Sequence, residues 1–460
     1  MSIPESIIKS YDIRGRFPEE FDAVIARSLG YGFAKAFKLR KVVVARDNRS
    51  ESAEALEGFC EGLTTAGCTI ADLGIASTPE LLFAVGAKKF DGGVMATASH
   101  NPSGYAGFKL VDHQGNGLGR ETGLKKIVAR AKMSAPTKVS RKPLNIKTDY
   151  YRLVTSLINL KSLVGMSVAL DARHGSAAQS IEHVFSRLPL KKTLINADTK
   201  LQSPHGYNPL ERSNHSQLNK VIKKTKSDLG LMWDGDGDRC VFFDERGKFV
   251  EPYYINCLLA DIILQGYPKA TIAIDSRMPV GPSTIITNHK GTPQVISPGW
   301  SLIIRAMTKS KAVFGCEHSA HFFIDIAKLL KQRRQQVVAD TIIVPLLVIS
   351  YLKENKLTLS EAVASYQQQF AISGELNFEN VDAVKVVKAI RRKYARKKII
   401  TTDGISIFGG QWFFNLRPSN TEPLVRLNIE ATDKAHVDSL RLELEKVIKK
   451  FQSWLAILKN

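Results

Sequence analysis

Cysteine is scarce in this chain of 460 residues: there are five, at Cys60, Cys68, Cys240, Cys257 and Cys316, and no Cys-x-x-Cys pair. An odd count without paired spacing argues against a disulfide scaffold and against a thiolate metal site. It fits reduced, mostly buried thiols in a cytoplasmic protein. No uninterrupted apolar run is long enough to span a bilayer, and the opening Met-Ser-Ile-Pro-Glu-Ser-Ile-Ile-Lys has no signal-peptide core. Neither membrane association nor export is therefore expected. Acidic residues are also in deficit, 44 Asp and Glu against 65 Lys and Arg, leaving a net charge of +21. Such a field suits nucleic acid or a small anionic substrate alike. Part of the excess lies between Lys385 and Lys398, in Lys388, Arg391, Arg392, Lys393, Arg396 and Lys397. No zinc-finger spacing, RNA-recognition signature or aromatic-interleaved stripe accompanies it, so a solvated helix face and no nucleic-acid partner are expected. What remains, 44% hydrophobic and 24% charged, is a soluble globular composition with room for three or four domains.

The most informative stretch is Leu231-Met-Trp-Asp-Gly-Asp-Gly-Asp-Arg239, followed by the apolar Cys240-Val-Phe-Phe243. Residues two apart in an extended chain point the same way, so Asp234, Asp236 and Asp238 should converge. Three like charges that close need a cation, and an all-oxygen set favours Mg2+ over Zn2+. Gly235 and Gly237 let the loop fold tightly. A calcium loop would need Gly at its sixth position, where Arg239 stands. Mg2+ held by few protein ligands keeps positions open for phosphate oxygens, so a phosphate carrier is expected elsewhere.

An internal repeat orders the rest. The strand Val-Val-Val-Ala-Arg-Asp47-Asn-Arg49 recurs as Ser-Val-Ala-Leu-Asp171-Ala-Arg173 and again as Thr-Ile-Ala-Ile-Asp275-Ser-Arg277. Three apolar strands ending in Asp-x-Arg at domain-sized spacing suggest three similar α/β units, with ligands beyond the carboxyl ends of the strands. Helices are expected over 52–66, from Thr78 as the capping residue with Pro79 in the first turn, over 341–351, and over 433–450. Strands are expected over 406–415 and 424–431. Ser99-His100-Asn-Pro leads through Gly104 and Gly107 to Lys109 in a polar loop that offers a hydroxyl, an imidazole and an ammonium. In Glu317-His318-Ser319-Ala-His321, Glu317, Ser319 and His321 alternate, so in extended chain they share a face able to bind hydroxyls. Arg417-Pro-Ser419-Asn420-Thr421-Glu-Pro423 combines a guanidinium fork with hydroxyl and amide donors, which suits phosphate as well as a plain turn.

Taken in order, YDIRG at 11–15, TASHNPSGYAGFKL at 97–110, DGDGDR at 234–239, EHSAH at 317–321 and RPSNTEP at 417–423 resemble the α-D-phosphohexomutases, the phosphomannomutase and phosphoglucomutase family. The resemblance covers essentially the whole chain. It implies an α/β protein of four domains around a central cleft, the first three topologically similar with mixed sheets and the fourth a smaller α+β domain. The implied spans are 1–150 with the phosphoserine loop, 151–250 with the metal loop, 251–368 with the sugar loop and 369–460 with the phosphate loop. By the same resemblance Ser99 carries the transferable phosphoryl group, and Asp234, Asp236 and Asp238 bind Mg2+ with the Ser99 phosphate completing the site. Arg14, His100, Lys109 and Arg239 surround that group, with Lys109 as general acid or base.

Glu317 and Ser319 match sugar contacts, with His321 at the end of their loop. Arg277 stands where the family has a basic residue. Arg417, Ser419, Asn420 and Thr421 match the loop that grips the non-reacting phosphate. The implied reaction interconverts hexose 1-phosphate and hexose 6-phosphate, mannose first and glucose second, with glucose 1,6-bisphosphate or mannose 1,6-bisphosphate as activator. A phosphoglucosamine mutase, or a Mg2+-dependent sugar phosphatase acting through an aspartyl nucleophile, is the alternative. A monomer or dimer that takes small sugar phosphates is expected. The chain departs from the family at Cys316 and His318, which replace Gly and Met. It departs again at Trp300, where some relatives carry a sugar-binding His.

Overall fold

Residues 3–330, 336–418 and 424–452 are described by the structure, a computed structural model. Strands β1 (Ile13–Arg16), β2 (Lys41–Arg46), β3 (Thr69–Ile75), β4 (Gly92–Ala96), β5 (Tyr105–Asp112) and β6 (Arg141–Pro143) form one sheet in the order β1-β5-β4-β2-β3-β6. β2 runs parallel to β3 and β4, whereas β5 is antiparallel to β4 and β1. The apolar run at β2, buried on both faces, matches what a strand covered by helices requires. The second domain repeats the plan. β7 (Ser167–Asp171) is parallel to β8 (Lys191–Ile195) and β9 (Leu229–Trp233), and β9 turns back into antiparallel β10 (Cys240–Phe243) beside β11 (Phe249–Val250).

The third domain has strands β12 (Thr271–Asp275), β13 (Thr292–Ile296), β14 (Phe314–Cys316), β15 (Phe322–Asp325) and β16 (Val337–Ala339). β12 and β13 pair in parallel and β15 and β16 antiparallel, so it too is mixed. The smaller fourth domain is an antiparallel sheet of β17 (Ala371–Glu379), β18 (Lys398–Ile400), β19 (Ile405–Phe408), β20 (Trp412–Pro418) and β21 (Leu424–Ala431) in the order β17-β21-β20-β19-β18. Helices Ala383–Lys393 and Lys434–Lys449 pack on it through a core that includes Val386, Ile390, Phe414, Leu427, Val437 and Leu444.

The Asp-x-Arg repeat is a recurring local turn. Asp47, Asp171 and Asp275 each accept, through Oδ1, the backbone N–H two residues ahead, from Arg49 (3.1 Å), Arg173 (2.9 Å) and Arg277 (2.8 Å). A carboxylate closing on its own backbone ends each strand, and all three arginines stay buried.

Three expectations are corrected. The segment 406–415 is two strands, because Gly410 takes a left-handed φ of 93° and turns the chain between β19 and β20. The helix Thr78–Ala87 is capped by Ser77 in a reciprocal box with Glu80, which leaves the Thr78 hydroxyl available for other work. Residues 317–321 form a turn, with Ala320 at φ 64°, so alternation does not put Glu317, Ser319 and His321 on an extended face. The basic run expected to be solvated is so: Lys385, Lys388, Arg391, Arg392 and Lys393 are all exposed. Among the described residues no helix is long and apolar enough to cross a membrane.

By internal contacts the chain forms two compact units. The first comprises Met1–Pro252, Gly299–Gly315 and Ser319–Ser360, and the second Tyr253–Pro298, Cys316–His318 and Glu361–Asn460.

Candidate active site

In the first unit, two loops that follow parallel strands converge at their carboxyl ends. The loop after β4 carries Ser99; the turn between β9 and β10 carries Asp234, Asp236 and Asp238. The Ser99 hydroxyl donates to Asp234 Oδ2 at 3.1 Å and lies 3.2 Å from His100 Nδ1. Ser99 holds a left-handed φ of 52°, and its N–H donates to Thr97 Oγ1 at 2.7 Å. The carboxylates do converge, but in a turn and not an extended strand: Gly237 has φ 70°, and its N–H reaches back to the Asp234 carbonyl. Gly235 is needed for close approach, since a β-carbon there would sit 2.6 Å from the Ser99 carbonyl oxygen.

Lys109, from β5, places Nζ 2.5 Å from both Asp236 Oδ2 and Asp238 Oδ2. Thr78, which the sequence marks only as part of a helix start, donates its hydroxyl to Asp236 Oδ2 at 2.7 Å. His321 Nε2 lies 3.3 Å from Asp238 Oδ1, and its Nδ1 lies 2.9 Å from Ser319 Oγ. Arg239 donates from Nε to His321 Nε2 at 3.4 Å and stands 3.8 Å from Asp234. Arg14 donates to Asn101 Oδ1 at 2.8 Å and pairs with Asp12 at 2.5 Å. Ser99, His100, Lys109, Arg14, Arg239, Ser319, His321 and the three aspartates are thus brought together. Arg49 joins them from the first Asp-x-Arg turn; its role in the repeat was legible, its target was not.

Burial, then Asp236 and Asp238, push the Asp234 carboxyl up. Burial alone would depress the Lys109 ammonium, but Asp236, Asp238 and Asp234 outweigh it and hold it above the usual lysine range. Asp238 is held well below the usual carboxylate range, because Lys109 and His321 overcome its burial. Burial, with Arg239 and Arg14 nearby, drives the His100 pKa well down, so the imidazole beside Ser99 is neutral. The carboxylate oxygens lie within 4.8 Å of one another, and Asp236 Oδ1 is buried with no hydrogen-bond donor among the described residues. A compact, oxygen-only, buried set with a spare lone pair fits a hard divalent cation.

The second unit holds a separate polar group. Arg277 turns back on Asp275, donating from Nε at 2.7 Å, and Asp275 also accepts the His318 N–H at 3.1 Å. Glu317 is buried, with its carbonyl accepting from Asn256 Nδ2 at 3.2 Å. Arg417, on β20, lies 3.5 Å from both Glu375 and Asp403, and burial followed by Arg277 lowers its pKa. Both guanidinium groups face carboxylates, Arg277 that of Asp275 and Arg417 those of Glu375 and Asp403. Ser419, Asn420 and Thr421 lie outside the described residues. Trp300, in the first unit, is buried against Gly117 and is a packing residue.

Four matches to known domains run along the chain in order: the Phosphoglucomutase/phosphomannomutase alpha/beta/alpha domain I over 5–137, domain II over 148–247, domain III over 251–370 and the C-terminal domain over 375–447. A protein named "Phosphohexose mutases" from Xanthomonas campestris is 34% identical over 98% of this chain and 100% of its own length. The phosphomannomutase of Escherichia coli K12 is 32% identical over 92% of this chain and 94% of its own. A solved structure from Burkholderia thailandensis, described as a phosphoglucomutase/phosphomannomutase family protein, superposes with a TM-score of 0.84 at 25% identity, over 97% of this chain and 98% of that one.

Proposed function

The chain belongs to the phosphoglucomutase/phosphomannomutase family and is an enzyme of the phosphohexomutase, isomerase class, and on that premise we propose that it interconverts hexose 1-phosphate and hexose 6-phosphate, mannose most readily, through a phosphoryl group on Ser99. The observation that carries this is the Ser99 hydroxyl, 3.1 Å from Asp234 within a buried carboxylate triad. An oxygen placed there needs charge neutralised around it more than it needs a base, as phosphoryl transfer demands.

Asp234, Asp236 and Asp238 would hold Mg2+, which supplies positive charge for the phosphoryl oxygens. Arg14 and Arg239 add guanidinium donors beside the same loop. The neutral His100 imidazole donates or accepts a hydrogen bond at Ser99 without adding charge. Lys109 is the residue for proton exchange with the sugar hydroxyl. While Asp236 and Asp238 face it, it stays charged and acts as an acid; accepting a proton requires that those carboxylates be neutralised elsewhere. A bisphosphate that donates from either end needs its other phosphate gripped apart from Ser99. Arg417, with Ser419, Asn420 and Thr421, is proposed for that grip, and Arg277, Glu317 and Ser319 for the sugar. Mannose 1,6-bisphosphate or glucose 1,6-bisphosphate would serve as activator.

The test supplies mannose, glucose and glucosamine 1-phosphates in turn, with Mg2+ and a trace of glucose 1,6-bisphosphate, and follows 6-phosphate formation. Turnover of mannose 1-phosphate, an 80 Da phosphoryl increment on Ser99 by intact mass (about 80 Da per phosphoryl group), and loss of both in Ser99→Ala are expected. Release of inorganic phosphate without 6-phosphate would replace the reading with a phosphatase, and preference for glucosamine 1-phosphate would replace the substrate.

A further inference from the structure

Arg49 is almost completely buried, and no charged ligand is needed to explain it. Its guanidinium donates to three backbone carbonyls of the serine loop: from Nη2 to Ser99 at 3.0 Å and Asn101 at 2.5 Å, and from Nη1 to Pro102 at 2.6 Å. Its Nε lies 3.3 Å from Asp47 Oδ2, and the Tyr207 ring stacks on it with 4.8 Å between guanidinium carbon and ring centre. Asp47 in turn accepts the Ala98 N–H at 3.3 Å. Every edge of the fork is used.

We propose that Arg49 is the positioning residue of the reaction, holding Ser99 in the one backbone conformation that aims its hydroxyl at the carboxylate triad. The proposal rests on the reading of Ser99 as phosphoryl carrier. Ser99 sits at φ 52°, where a residue with a β-carbon is strained, and such a conformation persists only when its surroundings enforce it. Three carbonyl oxygens drawn toward one point repel each other unless a cation with several N–H groups lies between them. An ammonium neutralises the charge but has neither the planar fork nor the flat face that stacks on Tyr207.

The other two copies of the turn show that the contact belongs to this arginine and not to the motif. Arg173 donates to the Gly206 carbonyl, and Arg277 folds back on its own Asp275. Of the three repeat arginines, Arg49 is the one that hydrogen-bonds the serine loop. It is also rigidly based, standing between the end of β2 and the helix Ser50–Thr65. Tyr207 links the clamp to the metal loop as well: a β-carbon on Gly235 would lie 3.0 Å from the Tyr207 ring and 2.6 Å from the Ser99 carbonyl oxygen. The arginine, the tyrosine and the aspartate turn therefore set the serine loop and the carboxylate loop at one spacing.

The experiment compares wild type, Arg49→Lys and Tyr207→Leu for kcat, for KM, and for the rate at which Ser99 takes a phosphoryl group from glucose 1,6-bisphosphate in a single turnover. Arg49→Lys should lower kcat about 100-fold, the scale of a reacting group misplaced by an ångström. KM should stay within about threefold of wild type, and the Ser99 phosphorylation rate should fall in step with kcat. Tyr207→Leu should move the same quantities in the same sense by about tenfold. If Arg49→Lys does not fold, Tyr207→Leu decides by these criteria. Normal kcat per folded molecule with only a lower Tm overturns the proposal, as does a raised KM at normal kcat. A wild type that never carries phosphate on Ser99 overturns the reading of Ser99 itself, whereas a phosphorylated wild type beside a fully active Arg49→Lys removes only the clamp.

Discussion

Lys109 Nζ lies 2.5 Å from both Asp236 and Asp238, though the lysine stands in the first α/β domain and the aspartates in the second. Its ammonium stands between two of the three carboxylates proposed to hold Mg2+. Lysine and metal therefore offer charge to the same oxygens. Replacing Lys109 with Met should destabilise the metal-free protein by about 3–5 kcal/mol, the usual cost of leaving a buried charge unpaired. Mg2+ should restore more stability to that variant than it adds to wild type, because it binds the folded form where the ammonium was lost. Calorimetric melts with EDTA and with Mg2+ check this. Equal melting of the two proteins in EDTA would sink the idea.

Thr78→Val removes the hydroxyl that orients Asp236 while keeping its shape. Groups that fix a metal-binding carboxylate commonly govern affinity by about 10- to 100-fold. The Mg2+ dissociation constant measured by titration calorimetry should weaken by that order, with the fold intact by circular dichroism. An unchanged constant would leave Thr78 as nothing more than the second residue of a helix start.

Gly235→Ala places a β-carbon 2.6 Å from the Ser99 carbonyl oxygen, a backbone atom that cannot rotate aside. The two loops must separate. Turnover should fall by about 100-fold, and Ser99 phosphorylation should slow with it. Wild-type kinetics in this variant would show that the spacing of the loops is not what matters.

Glu430 offers a pH test away from the metal loop. Burial pushes its carboxyl up to about 7, even though Tyr253 donates to it at 2.7 Å and the N–H groups of Val280 and Gly281 at 3.1 to 3.2 Å. A carboxyl whose pKa is higher folded than unfolded favours the protonated, folded state. Its contribution is complete below the unfolded value near 4.5 and is lost as pH rises through 7. The loss amounts to about 3 kcal/mol at 1.36 kcal/mol per unit. Urea unfolding between pH 5 and 8 should show that decline in wild type and a flatter profile in Glu430→Gln. Parallel profiles would assign the pH dependence elsewhere.

The sequence by itself determined the elements and the chemistry of the parts. Apolar strands ending in Asp-x-Arg announced three related units, because alternation, burial and a local Asx turn are all short-range effects. Asp-Gly-Asp-Gly-Asp announced a convergent carboxylate triad, since three carboxylates within five residues cannot avoid one another. It did so with the wrong geometry: the convergence comes from the left-handed turn at Gly237, not from extended chain. The turn at 317–321 was missed for the same reason, since the positive φ of Ala320 leaves little trace in periodicity. The strand break, by contrast, lay under Gly409-Gly410, a turn signal that the sequence did carry.

Tertiary structure alone decided which charges meet. That Lys109 faces Asp236, that Thr78 spends its hydroxyl on a carboxylate 158 residues away, and that Arg49 and not Arg173 holds the serine loop are all long-range facts. Each follows from where strand ends lie once the sheets have formed. No residue type encodes its partner across that distance; the packed backbone brings them together, and only then do burial and charge fix what each group does.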